Sequence, residues 1–174
     1  MGVDARHATG ARGAGCAVVS HLIVVAGGFV PNTVLALDTV EAYDTNTGTW
    51  LSLPKMTKRR DVPSCAAHNK ELYVLGGKPL TWEKYSFSSQ QWTHLGELDT
   101  GKYNLTLFIL DDKLVVTDYV DETVTIYDEA QQKWRKRRTK MNVRRLGHAT
   151  ALVRGVDIGK EAVRAFQHPS RDSP

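Results

Sequence analysis

The stretch that decides the fold is Val40 to Met56, VEAYDTNTGTWLSLPKM. Its Tyr43 and Trp50 return as Tyr85 and Trp92 and again as Tyr127 and Trp134, 42 residues apart each time, with the Tyr always seven residues before the Trp. The residues between them vary, so what is kept is a spacing and two large side chains. An apolar run lies upstream of each pair. In the first two copies it closes on a glycine pair, HLIVVAGG at Gly27-Gly28 and ELYVLGG at Gly76-Gly77, while in the third, DDKLVVTD, Thr117-Asp118 is expected to make the same turn. A period of about 40 to 50 residues built from short strands is that of propeller blades.

Each copy reads as four short strands. In the first they fall at 13–20, 22–26, 40–43 and 49–53, with Asn46 and Gly48 supplying the hairpin turn. The second copy places them at 64–67, 72–75, 82–85 and 91–95, and the third at 105–110, 114–117, 123–127 and 133–136. A fourth copy begins with GHATALV and stops. The expected organisation is a flexible arm over 1–12, repeats over 13–153 (13–56, 60–98, 102–141 and a partial 145–153), and a disordered tail over 154–174. An up-and-down four-stranded sheet is the unit of a propeller, so the expected fold is all-β, three blades plus the first strand of a fourth.

The apolar strand ending in Gly-Gly, the Tyr seven before a Trp, and Leu53-Pro54-Lys55-Met56 followed by Arg59-Arg60 together resemble the kelch repeat. WD repeats have a similar period, but no Trp-Asp dipeptide occurs. The resemblance implies a protein-interaction module, with substrate recognition for a cullin-RING ubiquitin ligase as the favoured role. Kelch proteins reach the cullin through a BTB domain, which these 174 residues do not contain. A cytoskeletal (actin-binding) or scaffold protein and a nuclear regulatory protein are the rival readings. Closed propellers have typically four to eight blades, so three imply a piece of a longer protein or a ring completed by another chain, a homodimer among the options.

The net charge of +4 is uneven. Residues 133–145 hold eight Lys and Arg and no acid, while the rest of the chain has 15 basic against 19 acidic residues. One basic stretch does not make a general nucleic-acid binder. No apolar run approaches the ~20 residues of a membrane span. Arg6 and Arg12 precede an apolar stretch over 16–26, but Ser20 and His21 interrupt it, so no cleaved leader is expected. Cys16 and Cys65 are too few for a disulfide framework and are expected to be small buried strand residues in a reducing compartment. A cytoplasmic protein is expected, with the nucleus as the alternative.

Strand parity brings the second-to-third strand loops and the inter-blade links to one end. Four cations stand just before the first strands: Arg12, Arg60, Lys102 and Arg145. They read either as solvated or salt-bridged link residues, or as a ring gripping an acidic or phosphorylated peptide, the use that the kelch resemblance implies. The loop after Gly28 offers Phe29, Val30 and Leu35, either as packing or as an apolar anchor for a partner, and Tyr119 lies in the matching loop of the third copy. Trp82 aligns with Val40 and Val124 and is read as core. Lys133, Arg135, Lys136, Arg137 and Arg138 read either as the charged edge of an outer strand or as a nuclear-import signal. The six histidines show no metal spacing and neither Cys-x-x-Cys nor Gly-x-Ser-x-Gly occurs, so an enzyme, a cofactor or a metal site is not expected.

Overall fold

The computed structural model describes residues 11–77, 80–98, 105–118 and 123–140, with side chains to residue 137. Twelve strands fill these segments, and no helix occurs among the described residues. Blade 1 holds β1 (Gly15–Val19), β2 (Leu22–Ala26), β3 (Val40–Asp44) and β4 (Thr49–Leu53). Blade 2 holds β5 (Ser64–His68), β6 (Glu71–Gly76), β7 (Thr81–Ser86) and β8 (Gln91–Glu97). In blade 3 are β9 (Leu105–Leu110), β10 (Lys113–Asp118), β11 (Thr123–Asp128) and β12 (Lys133–Lys140). Each blade is a four-stranded antiparallel sheet in sequence order, and β5 lies beside both β1 and β9, so the first strands line one side of the arc.

Alternation along the strands decides which side chains meet across a seam. The Tyr and Trp of each repeat are directly paired, Tyr43 with Trp50, Tyr85 with Trp92 and Tyr127 with Trp134. In blade 2 the pair packs onto blade 1, where Trp92 Nε1 donates to Pro54 O at 2.8 Å. In blade 3 the pair packs onto Trp82 of blade 2. The fixed spacing is therefore a seam motif: each blade's aromatic pair faces the blade before it. Tyr43 and Trp50, with ring centroids 5.4 Å apart, occupy the same position on the side of blade 1 that points away from blade 2.

The first seam packs Val24, Ala26, Val40 and Ala42 against Leu72, Val74 and Tyr85, and the link residue Met56 closes its end. The second packs Tyr73, Leu75 and Trp82 against Leu107, Leu114 and Val116, with Leu98 in the place of Met56. The two links are held alike, Met56 N donating to Asp38 O at 2.9 Å and Leu98 N to Leu80 O at 3.1 Å. Trp82 is only 3% exposed, as its alignment with core valines predicts.

Two expectations need correction. The strand registers set Gly76 opposite Thr81 and Asp118 opposite Thr123, so the glycine pair corresponds to residues 118 and 119, not to 117 and 118. Thr117 and Asp118 make no left-handed turn; they continue β10 as paired strand. Cys16 is exposed while Cys65 is buried, although they hold the same strand position. The position faces the preceding blade, which is blade 1 for Cys65; Cys16 has no preceding blade among the described residues. Complete burial pushes the Cys65 thiol up to about 12.

Candidate functional site

The link from β4 to β5 carries Arg60, and its backbone is stitched to blade 1: Arg60 N donates to Leu37 O at 2.9 Å and Gly28 N to Arg60 O at 2.8 Å. Its side chain turns the other way, into blade 2. Arg60 Nε and Nη2 donate to Glu83 Oε1 at 3.0 and 2.8 Å, Nη2 also to Thr81 Oγ1 at 3.1 Å, and Nη1 to Thr81 O at 2.6 Å and to Gly76 O. A guanidinium has five N–H donors, and all five are used. Glu83 Oε2 in turn accepts from the backbone N–H and hydroxyl of Thr57 at 2.9 and 2.7 Å. Arg60 is 1% exposed and Glu83 fully buried.

Arg60 is thus withdrawn from the expected peptide-gripping ring. The physical reason is that it has a complete set of acceptors inside the seam, and the salt-bridged reading of this position holds for it. Glycine makes the room: a Cβ on Gly77, where φ is +86°, would lie 3.0 Å from Arg60 Cα. Arg12 is exposed and forms no ion pair among the described residues. Lys102, Arg145 and Tyr119 lie outside the described residues.

The loop between β2 and β3 is a short ribbon. Arg12 and Phe29 exchange backbone bonds of 3.0 and 2.9 Å, Phe29 bridges to Ala36, and Leu37 N donates to Gly28 O at 2.8 Å. At its tip Val30 N donates to Leu35 O at 3.2 Å, Asn32 takes φ of +62°, and Thr33 Oγ1 accepts from Leu35 N at 3.1 Å. Asn tolerates that conformation better than most residues. Phe29 and Val30 are half-buried, so they serve the ribbon's footing. Val34 and Leu35 are not: Val34 is fully exposed and Leu35 is 50% exposed. Arg12, Phe29, Val30 and Leu35 therefore share one ribbon, and Arg60 lies beneath its base.

A second candidate region is β12. Lys133, Arg135, Lys136 and Arg137 are all exposed on this outer strand, and Trp134 is half-buried against Trp82. The side chain of Arg138 is outside the described residues. Asp128 holds Arg135, its Oδ2 accepting from Nε at 2.8 Å, and Arg135 Nη2 also donates to Gln131 Oε1. Backbone donation from Gln131, together with Arg135, holds the Asp128 carboxyl below its ordinary range.

At the opposite end of the second seam, His68 is buried between Asp112 Oδ1, 3.6 Å from Nδ1, and Glu129 Oε1, 3.7 Å from Nε2. The two acids approach different ring nitrogens, so the three do not converge on one point. Among the described residues no group of three His, Cys, Asp or Glu side chains could hold a metal ion.

Reading the sequence missed Glu83 as the partner of Arg60. A signal existed: an acid stands two residues before the blade tyrosine in the first two copies, Glu41 and Glu83.

Three consecutive up-and-down sheets, packed face to face with their first strands side by side, are the blades of an incomplete β-propeller. Residues 10–57 match the sequence profile of the kelch motif. It is similar to an F-box/kelch-repeat protein of Arabidopsis thaliana, 28% identical over an alignment that covers 70% of this chain and 34% of that protein. The chain thus spans about a third of that relative's length. Kelch repeats are protein-interaction modules.

Proposed function

We propose that the chain recognises a protein substrate on behalf of a cullin-RING ubiquitin ligase, and that the blade 1 ribbon is part of the recognition surface. The observation that carries the recognition reading is the ribbon tip, where two apolar side chains, Val34 and Leu35, stand exposed on a hydrogen-bonded frame. Loops held on a rigid scaffold are where binding residues concentrate. The F-box in the relative's name supports the ligase setting, and it moves the expected ligase-binding segment from a BTB domain to an F-box. Arg12, at the foot of the ribbon, supplies the cation that an acidic substrate motif would meet; Lys102, Arg145 and Tyr119 remain candidates for the same end of the molecule.

The test is a Val34→Ser/Leu35→Ser variant in the longest form of the protein. Binding to a captured partner should weaken by about tenfold or more while the thermal midpoint stays put. Unchanged affinity sinks the ribbon reading. Co-precipitation of a cullin with the partner-bound protein is the expected second result, and co-sedimentation with actin filaments without cullin would assign the cytoskeletal role instead.

A further inference from the structure

We infer that β12 is a docking edge for an extended acidic peptide, which adds to blade 3 as a fifth strand. The three outer strands differ sharply. β4 reads TWLSL and β8 reads QWTHLGE, neither with a Lys or Arg, whereas β12 reads KWRKRRTK and is the longest strand, at eight residues. It is bonded to β11 on one side and to no described strand on the other. Alternation puts Lys133 and Arg135 in one row and Trp134 and Lys136 in the other; past Lys136 the register slips, Lys140 coming opposite Thr123, and Arg137 within that bulge lines the same cleft as Arg135.

The sheet itself neutralises the first row only in part. Asp128 is the one acid on β11, it lies opposite Lys133, and its carboxylate is taken by Arg135. Arg137 forms no ion pair among the described residues. Beside Arg135 and Arg137 a cleft of ≈ 360 Å³ runs over Ile126 and Tyr127 to Lys113, with Asp112, Asp128 and Glu129 also in its lining. Cations two residues apart along a strand repeat at about 6.8 Å, the same step at which an added strand presents alternate side chains. Carboxylates at alternate positions of that strand would each meet one cation of the row, while main-chain bonds to the open edge supply affinity. The same charges repel a second copy of β12, so the edge is closed to itself and open to a strand of opposite sign.

The test uses the full chain and a fluorescent peptide of about eight residues alternating Glu and Val, matched to the length of β12. Saturable binding is expected, weakened by about tenfold or more both by N-methylation of alternate peptide amides and by Arg135→Glu/Arg137→Glu. These side chains are exposed, so the variant should keep its thermal midpoint; amide exchange of β12, slowed on peptide binding in the wild type, gives a readout that needs no variant. Absence of saturable binding overturns the proposal. Equal binding of the N-methylated peptide overturns it in favour of charge attraction alone, and equal binding of a single-stranded oligonucleotide of the same charge in favour of a polyanion patch.

Discussion

Where blade 2 meets blade 1, the residue two before the blade tyrosine is Glu83, locked to Arg60; where blade 3 meets blade 2, that residue is Thr125. The core position three before the tyrosine differs in the opposite sense. It is Val40 in the first seam, and in the second it is Trp82, whose ring lies 4.7 Å from Tyr127, 5.1 Å from Trp134 and 6.3 Å from Tyr73 between centroids. Strand order, link geometry and aromatic pair are the same in both. One backbone plan is thus sealed in two ways, by a fully bonded buried ion pair beside small aliphatics, and by a cluster of four aromatic rings. The lesson is that the repeat fixes where a seam needs volume and where it needs its polar groups satisfied, and leaves open which residues supply them.

The most direct way to break the comparison is to damage each seam at its own device. Glu83→Leu strands the buried Arg60 cation without its carboxylate and should cost about 3–5 kcal/mol. Trp82→Ala empties the aromatic cluster and should cost about the same, by lost contacts and cavity. The two differ in rescue. Adding Arg60→Met to Glu83→Leu removes the stranded charge, and the double variant should lose at least about 2 kcal/mol less than the sum of the single ones. Urea unfolding of the four proteins decides it; additivity within about 0.5 kcal/mol would mean that Arg60 and Glu83 do not act as a pair.

A smaller effect is expected from Gly77→Ala. The added Cβ meets the Arg60 backbone at 3.0 Å and the residue must hold φ of +86°, for which about 1–3 kcal/mol is the expected cost. The matching glycine of blade 1, Gly28, has φ of +93° and a Cβ there would lie 2.6 Å from Arg12 O, so the same close approach is made in both blades that carry the glycine pair. A thermal midpoint equal to wild type would show that the close approach of link and glycine is not needed.

These contrasts also explain what the sequence made legible. Tyr43, Tyr85 and Tyr127 with their tryptophans were readable because every blade needs the same bulk on the same face, so the need recurs at a fixed period. The strands followed, and so did the burial of Trp82. Arg60 was misplaced because its partner is 23 residues away and on another strand, and only two copies carry the acid. A cation before a strand reads alike whether it points to solvent or into a seam. The glycine counterpart was set one residue early because residue identity, with no strand pairing to fix the register, cannot tell 117 from 118. Phe29, Val30 and Leu35 were visible as apolar residues in a loop, but only the Val30–Leu35 bond and the Asn32 turn separate an exposed tip from a buried footing.

The least costly contrast lies in the hairpin turns, where the blades again diverge at one position. Asp44 in blade 1 and Asp128 in blade 3 accept backbone N–H bonds, from Asn46 at 2.8 Å and Gln131 at 3.2 Å, while blade 2 has Ser86 there, which accepts from Ser89 N at 3.5 Å. The Asp44 carboxyl is held below its ordinary range by the Asn46 bond first, with Thr47 and His21 adding to it. Both acids are therefore more acidic folded than unfolded. What they add to stability is complete above the unfolded carboxylate pKa of about 3.9 and is lost as the pH falls through the lower folded value. The urea midpoint should accordingly fall between about pH 5 and the acid limit of folding, and Asp44→Asn with Asp128→Asn should flatten that fall. Ser86→Ala is the control, since a hydroxyl has no charge to lose and its substitution should shift the midpoint equally at every pH. Equal pH slopes for wild type and the Asp44→Asn/Asp128→Asn variant would mean that the turn carboxylates are bonded but not linked to folding, and that the acid response arises elsewhere in the blades.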